Sequence, residues 1–417
     1  LRGLGEYYMN NAQKQFVDIL SAGIRGKSAD KVYDNVEWDE VIDLADKHKV
    51  EGIIYLALRK SKLISNIGEE KISLLKQKAA ITGITQSRHI SGLSTVLNKI
   101  NERNIPVIVL KGLVVREFYP QPDQRSMNDA DILVHEGDVE KVKQLLIDMG
   151  YVYLEDHKAS HHIALVHHKY PFIELHWNLF KRDGFSNELE HYERLIWRRA
   201  IKVNVGEAEV LSLSYEDLAL HLCMHMAAHL AATGFGVRQL CDLVLLVEHK
   251  GDEIDWNSFI MKARMYGFEK FSKIIFLLCN KLFNMEAPKE INIKVVNNKK
   301  YVSALLDEIF EAGVHGKKEM ANQFATQVAF NFEEKDSNAT LGAINRYFRF
   351  IFPKIDDMSD KYSYAKKVKI LAPIALIHHL FAGVFASEYS FKDKVEFLTK
   401  GAAKAANRNK LLDWMEL

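Results

Sequence analysis

The sequence has little proline, 7 in 417 residues, and only three cysteines, Cys223, Cys241 and Cys279. The cysteines are odd in number, far apart and without Cys-x-x-Cys spacing. That pattern excludes a disulfide scaffold, disfavours a thiolate zinc site and fits a reducing, cytoplasmic setting. Neither sign of charge is in excess: 56 Lys+Arg face 55 Asp+Glu, for a formal net charge of +1. There is no global field to hold a long nucleic acid, so such a partner would need a local patch. The first residues lack the charged segment and long apolar stretch of a secretory leader. Long hydrophobic runs are missing too. The longest, Ile370 to Ala386, is broken by Pro373, His378 and His379, and reads as a buried or interfacial helix rather than a membrane span. No Gly-x-Gly-x-x-Gly or Gly-x4-Gly-Lys-Ser/Thr motif occurs, which removes the main support for dinucleotide-binding and P-loop folds.

What is present is an ordinary globular composition, 48% apolar and 27% charged, rich in helix formers. Residues 1–103 read as a helical region: Trp38–Val50 has apolar residues at helical spacing, and a long helix is expected from about Glu70 to Glu102. The pattern then changes. Ile105–Leu110 reads as a buried strand, Leu113–Phe118 as a short helix, Tyr119–Met127 as a Pro-rich loop, and Asp129–Val134 as a second strand. Val139–Met149 is an amphipathic helix ended by Gly150. Tyr151–Leu154, Ile163–Val166 and Phe172–Leu175 read as further strands. Residues 104–212 are thus expected to form a small α/β core, and 213–417 a second helical region. The fold class is α+β, predominantly helical, with a small mixed sheet flanked by helices.

The most informative segment is Arg125-Ser-Met-Asn-Asp129-Ala-Asp131-Ile-Leu-Val. On a strand, residues two apart share a face, so Asp129 and Asp131 project together at the strand's exposed beginning. Two adjacent carboxylates resist joint ionisation unless a cation lies between them, and a divalent ion such as Mg²⁺ meets that need with hard oxygen ligands. A third acid, Glu174, interrupts the apolar strand of Phe172-Ile-Glu-Leu-His176-Trp-Asn, with His176 on its face. If the two strands are neighbours, the three acids can hold two metal ions and support in-line attack on phosphorus. Taken alone, Asp-x-Asp at a strand entrance is more often a turn feature, but a strand-borne Glu among apolar residues is costly without a partner.

The order Ile105–Leu110, Lys111-Gly112, Tyr119-Pro120, Arg125, Asp129-x-Asp131, Gly150-Tyr151, Glu174-x-His176-Trp177 resembles the uncharacterised nucleotidyltransferase family. That family belongs to the DNA polymerase beta-like superfamily. The resemblance extends over roughly residues 35 to 390, including Phe348–Pro353, and is specific only between 105 and 180. It implies a mixed sheet that binds a nucleoside triphosphate and two Mg²⁺ ions, with Mn²⁺ able to substitute. Asp129 and Asp131 would hold both ions, and Glu174 would hold the one that activates the acceptor and serve as its base. The superfamily usually carries Gly-Ser ahead of the double-carboxylate strand. Here Lys111-Gly112 stands in its place, and Lys111 is read as a phosphate grip through its point charge. Arg125 could reach phosphate or pair with an acid.

Seven histidines fall between His157 and His191, without the spacing of a zinc enzyme, and read as exposed loop residues. His176 is the exception, as a residue that orients Glu174 or touches substrate. His221, His225 and His229 recur at spacing four on a helix, and Arg238 and Asp242 on the next. Such stripes line a cleft or form a buried network; as cleft residues, His225, Arg238 and Asp242 join the expected nucleotide contacts. The expected activity is transfer of an NMP from an NTP to a hydroxyl or amine of an acceptor, with release of pyrophosphate. The acceptor is a small molecule, peptide, protein or RNA end. Phosphotransfer at the same metal site and a silent nucleotide-binding protein are the rival readings.

Overall fold

The computed structural model describes residues 9–31, 33–154, 162–179, 194–314, 371, 375–376 and 407–417. His157, His161 and His191, the Phe348–Pro353 segment and most of the Ile370–Ala386 run lie outside these residues. The chain divides into two compact units, Leu1–His225 with Gly236–Asn298, and Met226–Phe235 with Lys299–Leu417. Among the described residues no helix is long and apolar enough to cross a membrane.

The first unit opens with α1 (Asn11–Gly23), whose Asn10 cap and Gln13 exchange side-chain and backbone hydrogen bonds in a capping box. α2 (Trp38–Lys47) carries Asp39 and Glu40 in its first turn, where the helix dipole favours acids. The sequence pattern suggested one helix running to Val50. Instead the chain turns at His48-Lys49, with Lys49 at φ 54°, and α3 (Glu51–Leu58) begins. The turn is held from outside the helices: the His48 Nδ1 atom accepts the Val237 amide at 3.1 Å. α4 (Glu69–Asn101) is 33 residues long and buries Leu93, Val96, Leu97 and Ile100 in its last turns. It packs on α3 and on the sheet.

A seven-stranded mixed sheet forms the centre of this unit. Its strands are β1 (Ile108–Val109), β2 (Asp129–Leu133), β3 (Val152–Leu154), β4 (His162–Val166), β5 (Phe172–His176), β6 (Ile201–Val205) and β7 (Ala208–Ser212). Their order is β3-β4-β5-β2-β1-β7-β6. β2 runs parallel to β5 and antiparallel to β1, while β1 runs parallel to β7. The fold is therefore α+β and predominantly helical. β1 is shorter than the apolar run Ile105–Leu110 because Pro106 has no amide for the ladder. The flanks stay extended: Leu110 donates to the Asp131 carbonyl at 3.1 Å, and Leu211 to that of Val107 at 3.0 Å. The β6–β7 hairpin turns at Gly206, whose φ of 58° suits glycine, close against Ser94 of α4. α5 (Gly112–Val115) follows β1, and α6 (Val139–Asp148) follows β2.

Two further helices of use here are α7 (Tyr215–Ala232) and α8 (Val237–Lys250). In the second unit, Arg408 binds Glu308 at 2.9 Å, and Tyr301 stacks on Trp414 with ring centroids 5.0 Å apart.

Candidate functional site

The parallel pairing of β2 with β5 determines the site. Asp129 lies opposite Phe172, Asp131 opposite Glu174 and Leu133 opposite His176. Residues that oppose one another across a ladder share a face, so Asp129, Asp131, Glu174 and His176 project from one side of the sheet. Ala130, Ile132, Ile173 and Leu175 alternate to the other side and are fully buried. This alternation explains how a strand of the core can carry acids: its apolar half anchors it while its polar half faces a common point. One carboxylate oxygen each of Asp129, Asp131 and Glu174 lie within 4.8 Å of one another. Asp131 is only 6% exposed, Glu174 is half-buried, and Asp129, at the mouth, keeps the most solvent of the three while neighbouring groups still shield its carboxyl.

Lys111 and His176 hold Asp131 from two sides. The Lys111 ammonium donates to Asp131 Oδ1 at 3.1 Å, and His176 Nε2 lies 3.0 Å from the same oxygen. An ionised carboxylate only accepts, so the histidine nitrogen is the donor. His176 Nε2 is also 3.5 Å from Glu174 Oε2. Burial on its own would raise the Asp131 pKa, but the Lys111 charge and the His176 bond outweigh it and hold the carboxyl well below its usual range. Asp129 goes the other way: desolvation, then the negative charge of Asp131, raises its pKa. Burial works against the charge of Lys111 and of His176, yet the facing acids raise both. The site therefore separates neighbouring carboxylates into one firmly ionised and one protonated more easily. Lys111 is placed by a strained backbone, φ 48° and ψ −117°, a region that side chains other than glycine rarely occupy.

Behind Lys111 lies a second polar layer. Arg125 grips Asp242 of α8 with two bonds, Nη2 to Oδ2 at 2.6 Å and Nε to Oδ1 at 3.2 Å. The Tyr119 hydroxyl donates to the same Asp242 Oδ1 at 2.8 Å. Gly112 is required by this layer, because a Cβ there would stand 2.2 Å from Arg125 Nη1 and 2.8 Å from Met127 Sδ. The loop that carries Arg125 is tied to α4, where Gln86 donates to the Met127 carbonyl at 2.9 Å and Gln124 donates to that of Ala79 at 3.1 Å. Arg238 donates to Ser126 Oγ at 2.6 Å; desolvation, then the charge of Arg125, lowers its pKa to about 10.

His225, half-buried on α7, acts electrostatically on Asp131, and its ring centroid is 6.3 Å from that of His221. His221 is buried, and desolvation followed by the Lys111 charge brings its pKa down to about 3. It belongs beside the acids as much as His225 does, although the sequence reading set His225 above it. His229 falls in the second unit. The histidines near residue 165 divide. His168 is exposed, as expected of a loop. His167 accepts the amides of Lys169 and Tyr170 at 2.9 and 3.0 Å. His162 is neither exposed nor in a loop. It begins β4, directly opposite His176, and its place two residues before Ala164, on that residue's face of the strand, is the signal that could have found it.

The geometry describes a sheet-borne triad of acids with a lysine, of a kind suited to phosphoryl-type transfer. The chain belongs to the uncharacterised nucleotidyltransferase family, whose model matches residues 34–284, more than half of its length. Among solved structures, that of the antibiotic-resistance factor ANT(2'')-Ia is similar at 11% identity and a TM-score of 0.31, covering 40% of this chain and 87% of that one. A comparison with curated proteins gives no match. The residues fit a divalent cation: three converging hard oxygen donors, with Lys111 acting as counter-charge to the innermost.

Proposed function

We propose that this chain is a Mg²⁺-dependent enzyme that transfers an NMP from an NTP to a hydroxyl or amine of an acceptor and releases pyrophosphate. The observation that carries this reading is the direct register of Asp131 with Glu174, with Asp129 one same-face position away. Asp129 and Asp131 would hold two Mg²⁺ ions, with Glu174 as the third ligand; when bound, such ions offset charge that builds on the phosphorus and on the attacking oxygen. Mn²⁺ would substitute. We place the catalytic core at residues 104–212, between helical regions 1–103 and 213–417.

The side chains have separable tasks. Asp131 is kept ionised and oriented by Lys111 and His176, so its ligand geometry is set before substrate arrives. Lys111 then exchanges its carboxylate for phosphate oxygens, while Glu174 takes the proton of the acceptor. Arg238 and His225 supply further polar contact to the nucleotide. Arg125 and Asp242 fix the wall against which Gly112 and Lys111 sit, and so contribute to nucleotide binding through position. The acceptor is a small molecule, peptide, protein or RNA end; a net charge of +1 disfavours a long nucleic acid.

Incubation with α- or γ-labelled ATP and candidate acceptors tests the reaction. Label from the α-position on the acceptor, with labelled pyrophosphate from the γ-position, supports nucleotidyl transfer. Label from the γ-position on the acceptor would instead show phosphotransfer at the same site. Absence of a Mg²⁺-dependent thermal shift with each of ATP, CTP, GTP and UTP would refute nucleotide use altogether.

A further inference from the structure

Beside the three oxygen donors lies a set of different chemistry. One ring nitrogen each from His162 and His176 and one oxygen of Glu174 also lie within 4.8 Å of one another. The three come from adjacent antiparallel strands in fixed register: His162 opposes His176, and Glu174 opposes Ala164. Opposed residues share a face, so His162 joins the side of the sheet that carries the acids. The imidazole centroids are 4.9 Å apart, and Ala164 sets only a methyl group against Glu174. His176 is further fixed by its Nε2 bond to Asp131. The same nitrogen lies 3.5 Å from Glu174 Oε2, so the ring is already turned toward the carboxylate that an ion would share with it.

We propose that His162, Glu174 and His176 form a second cation site, which takes a borderline-soft divalent ion of the Zn²⁺ kind and shares Glu174 with the oxygen site. The donor sets sort the ions. Mg²⁺ takes all-oxygen ligands and keeps much of its water. Two imidazoles with one carboxylate suit Zn²⁺ or Co²⁺, completed by water in a four-coordinate arrangement. Because Glu174 belongs to both sets, an ion held by the histidines competes for the carboxylate that the oxygen site uses. Zn²⁺ therefore inhibits the Mg²⁺-dependent reaction, a consequence that rests on the proposed function; the binding itself does not.

The test uses Co²⁺ as a spectroscopic probe on the full, metal-free chain without nucleotide. We expect one equivalent of Co²⁺ to give the intense visible absorption of a low-coordinate nitrogen–oxygen site, bleached by stoichiometric Zn²⁺ and, because Glu174 is shared, weakened by Mg²⁺ only in large excess. His162→Ala and His162→Gln, each checked for an unchanged melting curve, weaken Co²⁺ binding by about 100-fold or more, at least as much as loss of an outer-sphere partner costs. Asp129→Asn keeps the absorption. No such band in the native chain, equal binding by both His162 variants, or displacement by stoichiometric Mg²⁺ would overturn the proposal. In a transfer assay, the His162 variants keep their Mg²⁺-dependent rate and lose sensitivity to Zn²⁺; native sensitivity in both would also overturn it. Should the chain show no transfer at all, the proposed function fails while the cobalt titration still reports on the site.

Discussion

The Arg125–Asp242 pair allows a test in which structural and ligand-binding roles part company. Both side chains are less than a tenth exposed, and Asp242 accepts two bonds from Arg125 and one from Tyr119. Removing one partner of such a pair leaves a buried charge uncompensated, which costs about 3–5 kcal/mol. Asp242→Leu and Arg125→Met should each lower stability by that amount, a fall of about 10 °C in Tm for a unit of this size. The double variant leaves no charge behind and should recover most of the loss. The remainder, about 1 kcal/mol, is the Tyr119 hydroxyl without its acceptor, and adding Tyr119→Phe removes it. Intrinsic fluorescence suits the assay because Trp38, Trp177, Trp197 and Trp256 lie in the first unit and only Trp414 in the second. Melts are run without nucleotide. If either single variant loses less than 1 kcal/mol, or if the double variant is as unstable as the worse single one, the pair is not what anchors this wall.

Gly112→Ala should shift Arg125 and lower both Tm and nucleotide affinity, measured by melting and by titration, whereas Gly137→Ala, where a Cβ meets nothing within 4 Å, should be neutral. Asp131→Asn and Glu174→Gln should each reduce the transfer rate by about 10³-fold, the equivalent of several kcal/mol of charge stabilisation, in the labelled-ATP assay. Lys111→Gly should be more stable than Lys111→Ala by about 1 kcal/mol in urea unfolding, because glycine relieves the strain at φ 48° and both lack the ammonium. His48 is fully buried, and desolvation, then the Lys47 charge, takes its pKa down to about 3, against 6.5 in an open chain. Between those values the unfolded chain binds a proton that the folded chain does not, so stability is complete above pH 6.5 and falls as pH drops toward 3. The slope is about 1.4 kcal/mol per pH unit. His48→Asn, which can still accept the Val237 amide, should flatten the acid limb of a stability–pH curve by that slope.

The parts that could be read from the sequence were those with local periodicity. The long helix α4 is expected within a residue of its observed ends, because the apolar stripe of its last turns is contained in its own residues. The Asp129-x-Asp131 strand and the Glu174-x-His176 strand were legible by alternation. Their register was not: nothing within either segment says that Asp131 should face Glu174 rather than Phe172 or His176, since pairing is decided by packing across the sheet. The Arg125–Asp242 bond joins residues 117 apart, so Arg125 could only be read as reaching phosphate or an acid. The β6–β7 hairpin went unread although Ile201, Val203 and Val205 alternate up to Gly206 and Val210 alternates after it. Two five-residue strands joined by so tight a turn give too short an alternation to stand out in the sequence.

The strand order also separates parts of the molecule that can be engineered from parts that cannot. β2 and β5 touch directly, and the excursion between them, from His135 to Pro171, adds β3 and β4 on the outer flank of β5. Among the described residues of that excursion, none lies in the ladder between β2 and β5. A loop lengthened or replaced there leaves the ladder of Asp131 and Glu174 untouched, whereas a single residue inserted in β5 ahead of Glu174 would turn Glu174 and His176 to the opposite face. Two five-residue strands are thus the fixed chassis, and the outer hairpin is a place for grafting. Only a graft that rebuilt β4 itself would cost the protein His162, and with it any response to a nitrogen-seeking metal.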